Sequence, residues 1–176
     1  GVIGKNENID IDKLNIIQSH RGPDNQGSWS DNNIQLGNQR LSIIDLNSRS
    51  NQPFHKDNLV IVFNGEIYNF RELQKDLSEN YKVSFKTNSD TEVVLEMYKN
   101  FGSKCLDQLI GMFSFAIYNT QTKKTFVARD HFGIKPLFYT TINKSFIFAS
   151  ELKTLVQIPD FDKTINMRSL INCINY

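Results

Sequence analysis

The run Leu59-Val60-Ile61-Val62-Phe63 most narrows what this chain can fold into. Five apolar residues in a row, bounded by a polar stretch before and Asn64-Gly65 after, read as a strand buried on both faces. Such a strand needs cover on each side, so the chain must build layers. More strand-like segments follow at residues 112–118, 125–129, 137–141 and 146–149, with residues 119–124 as a hairpin turn. Residues 34–44 read as a further strand, and residues 47–57 as a polar loop. Three helices are predicted. Residues 10–20 carry Ile11, Leu14 and Ile17 on one face, residues 68–80 carry Phe70, Leu73 and Leu77, and residues 91–101 carry Val94, Leu95 and Tyr98. Ser89 and Glu92 fit a capping box at the start of the last. Strands grouped as hairpins predict an α+β domain with a mainly antiparallel sheet.

A length of 176 residues suits one compact domain. Hydrophobic residues at 39% and charged residues at 22% argue against disorder. A net charge of +1 without a block of like charges argues against nucleic-acid and membrane-surface binding. No apolar run reaches the roughly 18 residues of a membrane helix. Cys105 and Cys173, and likewise His20, His55 and His131, are too scattered for a metal site, and the cysteines read as reduced thiols. Gly1-Val2-Ile3-Gly4 reads as the middle of a buried strand. Past residue 156 the pattern weakens into a linker at 159–164 and a new helix from 166.

Four constellations can carry chemistry. Asn64-Gly65-Glu66 is either a tight hairpin turn or a strand end offering an amide and a backbone N–H to a developing oxyanion. Arg40, on a strand beside Leu41 and Ile43, is either a structural ion pair or a fork for a substrate carboxylate. Glu66 and Asp90 stand at element boundaries; with Ser89 as the cap, Asp90 is free to face a ligand ammonium. An arginine with two acids is what a free amino acid would need. Residues 129–136 (Arg129-Asp130-His131-Phe132-Gly133-Ile134-Lys135-Pro136) read as a charge-stapled turn.

Several stretches in order resemble the class II glutamine amidotransferase domain of asparagine synthetases. They are His20-Arg21-Gly22-Pro23-Asp24, Arg40-Leu41-Ser42-Ile43-Ile44-Asp45, Gln52-Pro53, Asn64-Gly65-Glu66-Ile67-Tyr68-Asn69, Ser89-Asp90-Thr91-Glu92, Gly111-Met112-Phe113, and Arg129-Asp130 with Gly133-Ile134-Lys135-Pro136-Leu137. The resemblance covers residues 1–156 and implies a four-layer αββα sandwich of two mainly antiparallel sheets, of the N-terminal nucleophile hydrolase type.

It further implies that Arg40 takes the α-carboxylate of glutamine, Glu66 and Asp90 hold its ammonium, and Leu41, Ser42, Ile43 and Ile44 line the pocket. Asn64 and Gly65 would form the oxyanion hole. The family's nucleophile is an N-terminal cysteine whose own amine is the base. It would precede Gly1, so the chain as written is expected to bind glutamine weakly at best and not to hydrolyse it. No cofactor is expected in this domain. Residues 157–176 would open a synthetase domain, which uses ATP and Mg²⁺ to activate aspartate in the cytoplasm. Glutamine and that domain are the expected partners, with no nucleic acid and no membrane, and a homodimer is left open. Two alternatives stand beside this reading: a relative aminating a sugar, and a non-catalytic scaffold of the β-lactam synthetase type.

Overall fold

The computed structural model describes residues 1–4 and 8–174. The elements in order are β1 (Val2–Ile3), α1 (Ile11–Ile16), β2 (Asn25–Ser30), β3 (Ile34–Arg40), β4 (Phe54–Lys56), β5 (Leu59–Ile67), α2 (Phe70–Tyr81) and α3 (Asp90–Phe101). Then come β6 (Gly111–Asn119), β7 (Thr125–Arg129), β8 (Phe138–Ile142), β9 (Ser145–Ala149), α4 (Leu152–Leu155) and α5 (Met167–Ile174). One sheet has five strands in the order β2-β3-β1-β9-β8, the other four in the order β4-β5-β6-β7. Every strand pairing is antiparallel.

The apolar run of β5 is covered on both faces, as its composition demands. On one face Ile61 and Phe63 join Leu77 of α2 and Val94 and Met97 of α3. On the other, Val60 and Val62 meet Ile34 and Leu36 of β3 and Phe148 of β9 across the gap between the sheets. A third cluster packs Val2 and Ile147 against Ile11 and Leu14 of α1 and Leu155 of α4. The layers are therefore helix, sheet, sheet, helix. This is the αββα sandwich expected above. Of the four residues Gly1 to Gly4 read as a buried strand, Val2 and Ile3 form one, with Val2 fully buried, and β1 is the central strand of its sheet.

Sequence and structure part company at several places. The helix predicted over 10–20 is shorter. Asp10 accepts from the Asp12 and Lys13 N–H groups to start α1, which ends at Ile16, and a 3₁₀ turn follows at Ser19–Arg21. The strand predicted over 34–44 stops at Arg40. Asp24 bonds the chain on both sides of that end: its N–H donates to Arg40 O at 3.1 Å, and its carboxylate accepts from Ser42 N–H at 2.7 Å. Leu41 and Ile43, read as strand residues, are exposed on the loop that follows.

The polar loop predicted over 47–57 hides β4, where Phe54 and Lys56 are buried. The unpredicted β2, Asn-Gln-Gly-Ser-Trp-Ser, also lacks an apolar signature. Asn64-Gly65-Glu66 is neither a hairpin turn nor a strand end, because β5 runs through it to Ile67. Ser89 caps α3 through Thr91 N–H, yet Glu92 does not complete a capping box. Its carboxylate accepts from Lys86 N–H, Thr87 N–H and the Thr87 hydroxyl instead. The 129–136 turn is stapled as read. Asp130 accepts from the Ile134 and Lys135 N–H groups, and Arg129 donates to Gly133 O and Lys135 O.

Packing continues slightly beyond residue 156, since Ile158 is buried in the third cluster with Phe161 against it. From Asp162 on the described chain is exposed, α5 included, and residues 175–176 of the helix predicted from 166 lie outside the described residues. Among the described residues no helix is long and apolar enough to cross a membrane.

Candidate active site

A cavity of about 610 Å³ opens between the two sheets, and its wall includes Gly1, Arg40, Asn64, Gly65, Glu66 and Asp90. Leu41, Ile43 and Ile44 line it too, whereas Ser42 does not; its N–H is turned onto Asp24. The polar residues singled out in the sequence thus converge from β3, β5 and the first turn of α3.

The β5 contribution follows from strand geometry. Ile67 N–H donates to the Asp90 carboxylate at 3.2 Å on the edge away from β6. N–H groups two residues apart leave a strand on the same side, so Gly65 directs its own to that edge as well. No strand covers it there, because β4 ends opposite Ile61. Residue 65 must be glycine: a Cβ would fall 2.3 Å from Met112 O on the neighbouring strand. Beside it, Asn64 Nδ2 is shut off from solvent and has no hydrogen-bond partner. A buried donor left unpaired costs on the order of 1–3 kcal/mol, and this one belongs to a residue of the cavity wall.

Asp90 is buried beside Glu66. Burial pushes its carboxyl up to about 6; hydrogen bonds from Ile67 and Thr91 pull the other way, and the Glu66 charge adds to the rise. Neither acid has an ion-pair partner among the described residues. The pair forms an acidic corner of the cavity.

Arg40 is buried in the cavity wall, but its fork is not idle. Nη1 donates to Asn51 Oδ1 at 2.7 Å and Asn47 O at 3.3 Å, and Nη2 to Asp45 O at 2.5 Å and Ile44 O at 3.3 Å. Arg40 therefore holds the loop over residues 41–51. The structural role weighed for it from the sequence is present, though through carbonyls and an amide rather than an ion pair. The Gly22 backbone packs against this end of β3 so closely that a Cβ would lie 2.5 Å from Arg40 C. This is what the Arg-Gly-Pro-Asp sequence does locally.

Sequence reasoning missed the cavity rim. Glu151, just past β9, accepts from His20 Nε2 at 2.8 Å and Arg21 Nη1 at 3.2 Å, and pairs with Lys153 at 3.0 Å. Burial pushes its pKa up, yet hydrogen bonds from Lys153, His20 and Arg21 outweigh that and hold it near about 2. The signal was present: an acid stands two residues past an apolar strand, much as Glu66 stands three past the apolar run of β5. Cys105 is buried away from this cavity, and burial pushes its thiol up to about 11, which makes it a poor nucleophile.

Comparison with known proteins accords with this geometry. A family model described as a glutamine amidotransferase domain matches residues 1–176. Asparagine synthetase [glutamine-hydrolyzing] 1 of Bacillus subtilis is 44% identical over 147 residues, which is 83% of this chain and 23% of that protein. Asparagine synthetase [glutamine-hydrolyzing] 2 of the same organism is 41% identical, covering 89% of this chain and 21% of its own length. The chain thus spans under a quarter of these two relatives. Among solved structures, glutamine phosphoribosylpyrophosphate amidotransferase from B. subtilis, complexed with ADP and GMP, superposes with a TM-score of 0.60. That match is 27% identical and covers 70% of this chain and 29% of that one. An αββα sandwich whose cavity gathers an arginine, two acids and a paired set of N–H donors, matched along its whole length by the family model, belongs to the glutamine amidotransferase domain family.

Proposed function

We propose that the cavity binds free glutamine, and that the intact protein hydrolyses its side-chain amide to supply ammonia for making asparagine from aspartate. The observation that carries this reading is the unpaired Asn64 Nδ2 beside the Gly65 N–H, in one cavity with the Glu66–Asp90 corner. The ammonium of glutamine sits between the two carboxylates. Its α-carboxylate takes N–H groups of Arg40 by replacing the two weaker loop bonds, those of 3.3 Å to Asn47 O and Ile44 O. The amide carbonyl then points at Asn64 and Gly65. A cysteine thiol upstream of Gly1 enters at the end of the cavity that Gly1 lines. Its attack makes a tetrahedral oxyanion, which the two donors stabilise; each such donor is worth roughly 3 kcal/mol. Collapse releases ammonia, and water hydrolyses the thioester to glutamate.

The acceptor chemistry lies outside this chain. A synthetase domain using ATP and Mg²⁺ activates aspartate, and the two asparagine synthetases above support aspartate over a sugar. Both reactions draw on cytoplasmic pools, and we place the protein there. The test is glutamate release by the intact protein on glutamine, followed by asparagine formation once aspartate, ATP and Mg²⁺ are added. Glutamate without asparagine would reject aspartate as the acceptor; no glutamate at all would reject the whole reading.

A further inference from the structure

Gln52 lines the same cavity and has no part in the chemistry above. β4 pairs with β5 through Phe54 opposite Ile61. Two residues further along that antiparallel register, Gln52 stands opposite Phe63, and there the backbone ladder has already stopped. The Gln52 side chain continues it: its Oε1 accepts from Phe63 N–H at 2.6 Å. A backbone N–H can only donate, which fixes the oxygen end of the amide and leaves the nitrogen end free to donate in turn. That Nε2 donates to Thr91 Oγ1 at 3.3 Å in a buried bond.

The two partners are telling. Phe63 immediately precedes Asn64, and Thr91 immediately follows Asp90. One buried amide therefore ties the strand that carries the oxyanion donors to the helix start that carries the acid. Asp90 closes a second tie by accepting from Ile67 N–H. The Gly65 N–H lies on the same strand edge between these two ties. Without Gln52, the Phe63 N–H would be buried unpaired, and the hydrogen bonding between β5 and α3 would remain only beyond Gly65. Displacements of about 1 Å in such a constellation can cost about a hundredfold in rate.

We propose that Gln52 is a positioning residue for amide hydrolysis, setting the distance between the Asn64–Gly65 donors and Asp90. This rests on the glutaminase reading above. It predicts a division of effects, because the donors act on the transition state whereas Asp90 acts on bound substrate.

The experiment compares Gln52→Met, Thr91→Val and Thr91→Ser in the intact protein, measuring kcat and KM for glutamate release well below each variant's Tm. Gln52→Met removes both hydrogen bonds of the Gln52 amide and should lower kcat by about tenfold or more. Thr91→Val removes only the link to the helix and should raise KM about threefold with kcat nearly kept, while Thr91→Ser restores KM. If Gln52→Met does not fold, the two Thr91 variants decide. Unchanged KM in Thr91→Val overturns the proposal, as does a Gln52→Met enzyme whose only defect is a lower Tm. An unsubstituted protein that releases no glutamate overturns the glutaminase reading, and this inference with it.

Discussion

Helix α3 contributes acids to two polar regions that are satisfied in opposite ways. Along its buried side, Glu92 and Glu96 meet the Lys56 ammonium at 2.8 and 2.7 Å, and Lys56 also donates to Ser84 O at 2.6 Å. Glu92 is further bonded by the Lys86 and Thr87 N–H groups, so donors and acceptors in this cluster are matched within the protein. At the first turn of the same helix, Asp90 faces Glu66 without a cation, and Asn64 Nδ2 has no acceptor. Both regions are buried and charged, so neither composition nor burial separates them. What separates them is whether the protein answers its own polar groups. The first cluster pins β4 and the 86–87 turn to α3; the second is the region we propose takes the ligand.

Four substitutions test that division, from the largest expected effect to the smallest. Lys56→Met leaves Glu92 and Glu96 buried without their cation, and should cost on the order of 3–5 kcal/mol in denaturant unfolding. A variant as stable as the parent would remove the cluster from the structural side of the comparison. Asn64→Ala should do the reverse, lowering kcat for glutamate release by roughly 10²–10³ while Tm holds or rises.

Asp90→Asn probes the anionic corner through pH. The Asp90 carboxyl titrates near about 6 in the folded protein, above its ordinary 3.8. The folded state therefore keeps this proton longer than the unfolded one. Stability from this group is highest below pH 4 and declines as pH rises through 6, by on the order of 2–3 kcal/mol. Asp90→Asn should abolish that decline, raising Tm at pH 8 but not at pH 4. In the unsubstituted enzyme, KM for glutamine should climb as pH falls below about 6, because the acid protonates and loses its hold on the ammonium. A KM flat across that range would take Asp90 out of the site. Lys99→Ala, which breaks the exposed pair with Asp57, should change stability by less than about 1 kcal/mol.

The legible parts of the sequence were those where one physical signal dominates. The apolar run of β5 announces a doubly covered strand, and Leu73 with Leu77 or Val94 with Leu95 announce helix faces. Arg40, Asn64, Gly65, Glu66 and Asp90 could be weighed as candidates from residue type and place, but each also had an ordinary structural reading, and their grouping into one site came from the ordered motifs of the family resemblance. What escaped depends on partners distant in the chain. β4 is a strand because Glu92 and Glu96 draw Lys56 inward, and no window around residue 56 contains that fact. The stretch Leu41-Ser42-Ile43-Ile44 has strand composition but is a loop, because Asp24 and the Arg40 fork claim its backbone. Asn64-Gly65 has turn composition but lies inside a strand, because it pairs with Ser114 and Phe113 of β6, which approach so closely that residue 65 has no room for a side chain.

β1 is two residues long, yet it joins β3 on one side to β9 on the other. Val2 has its register partner at Ile147, near the far end of the chain. During synthesis at roughly 5–20 residues per second, β1 emerges between roughly 7 and 30 seconds before that partner. Until then the β9 side of β1 has no pairing partner, and the larger sheet lacks β8 and β9. The cavity wall that Gly1 and Phe148 share is consequently among the last parts of this fold to take shape.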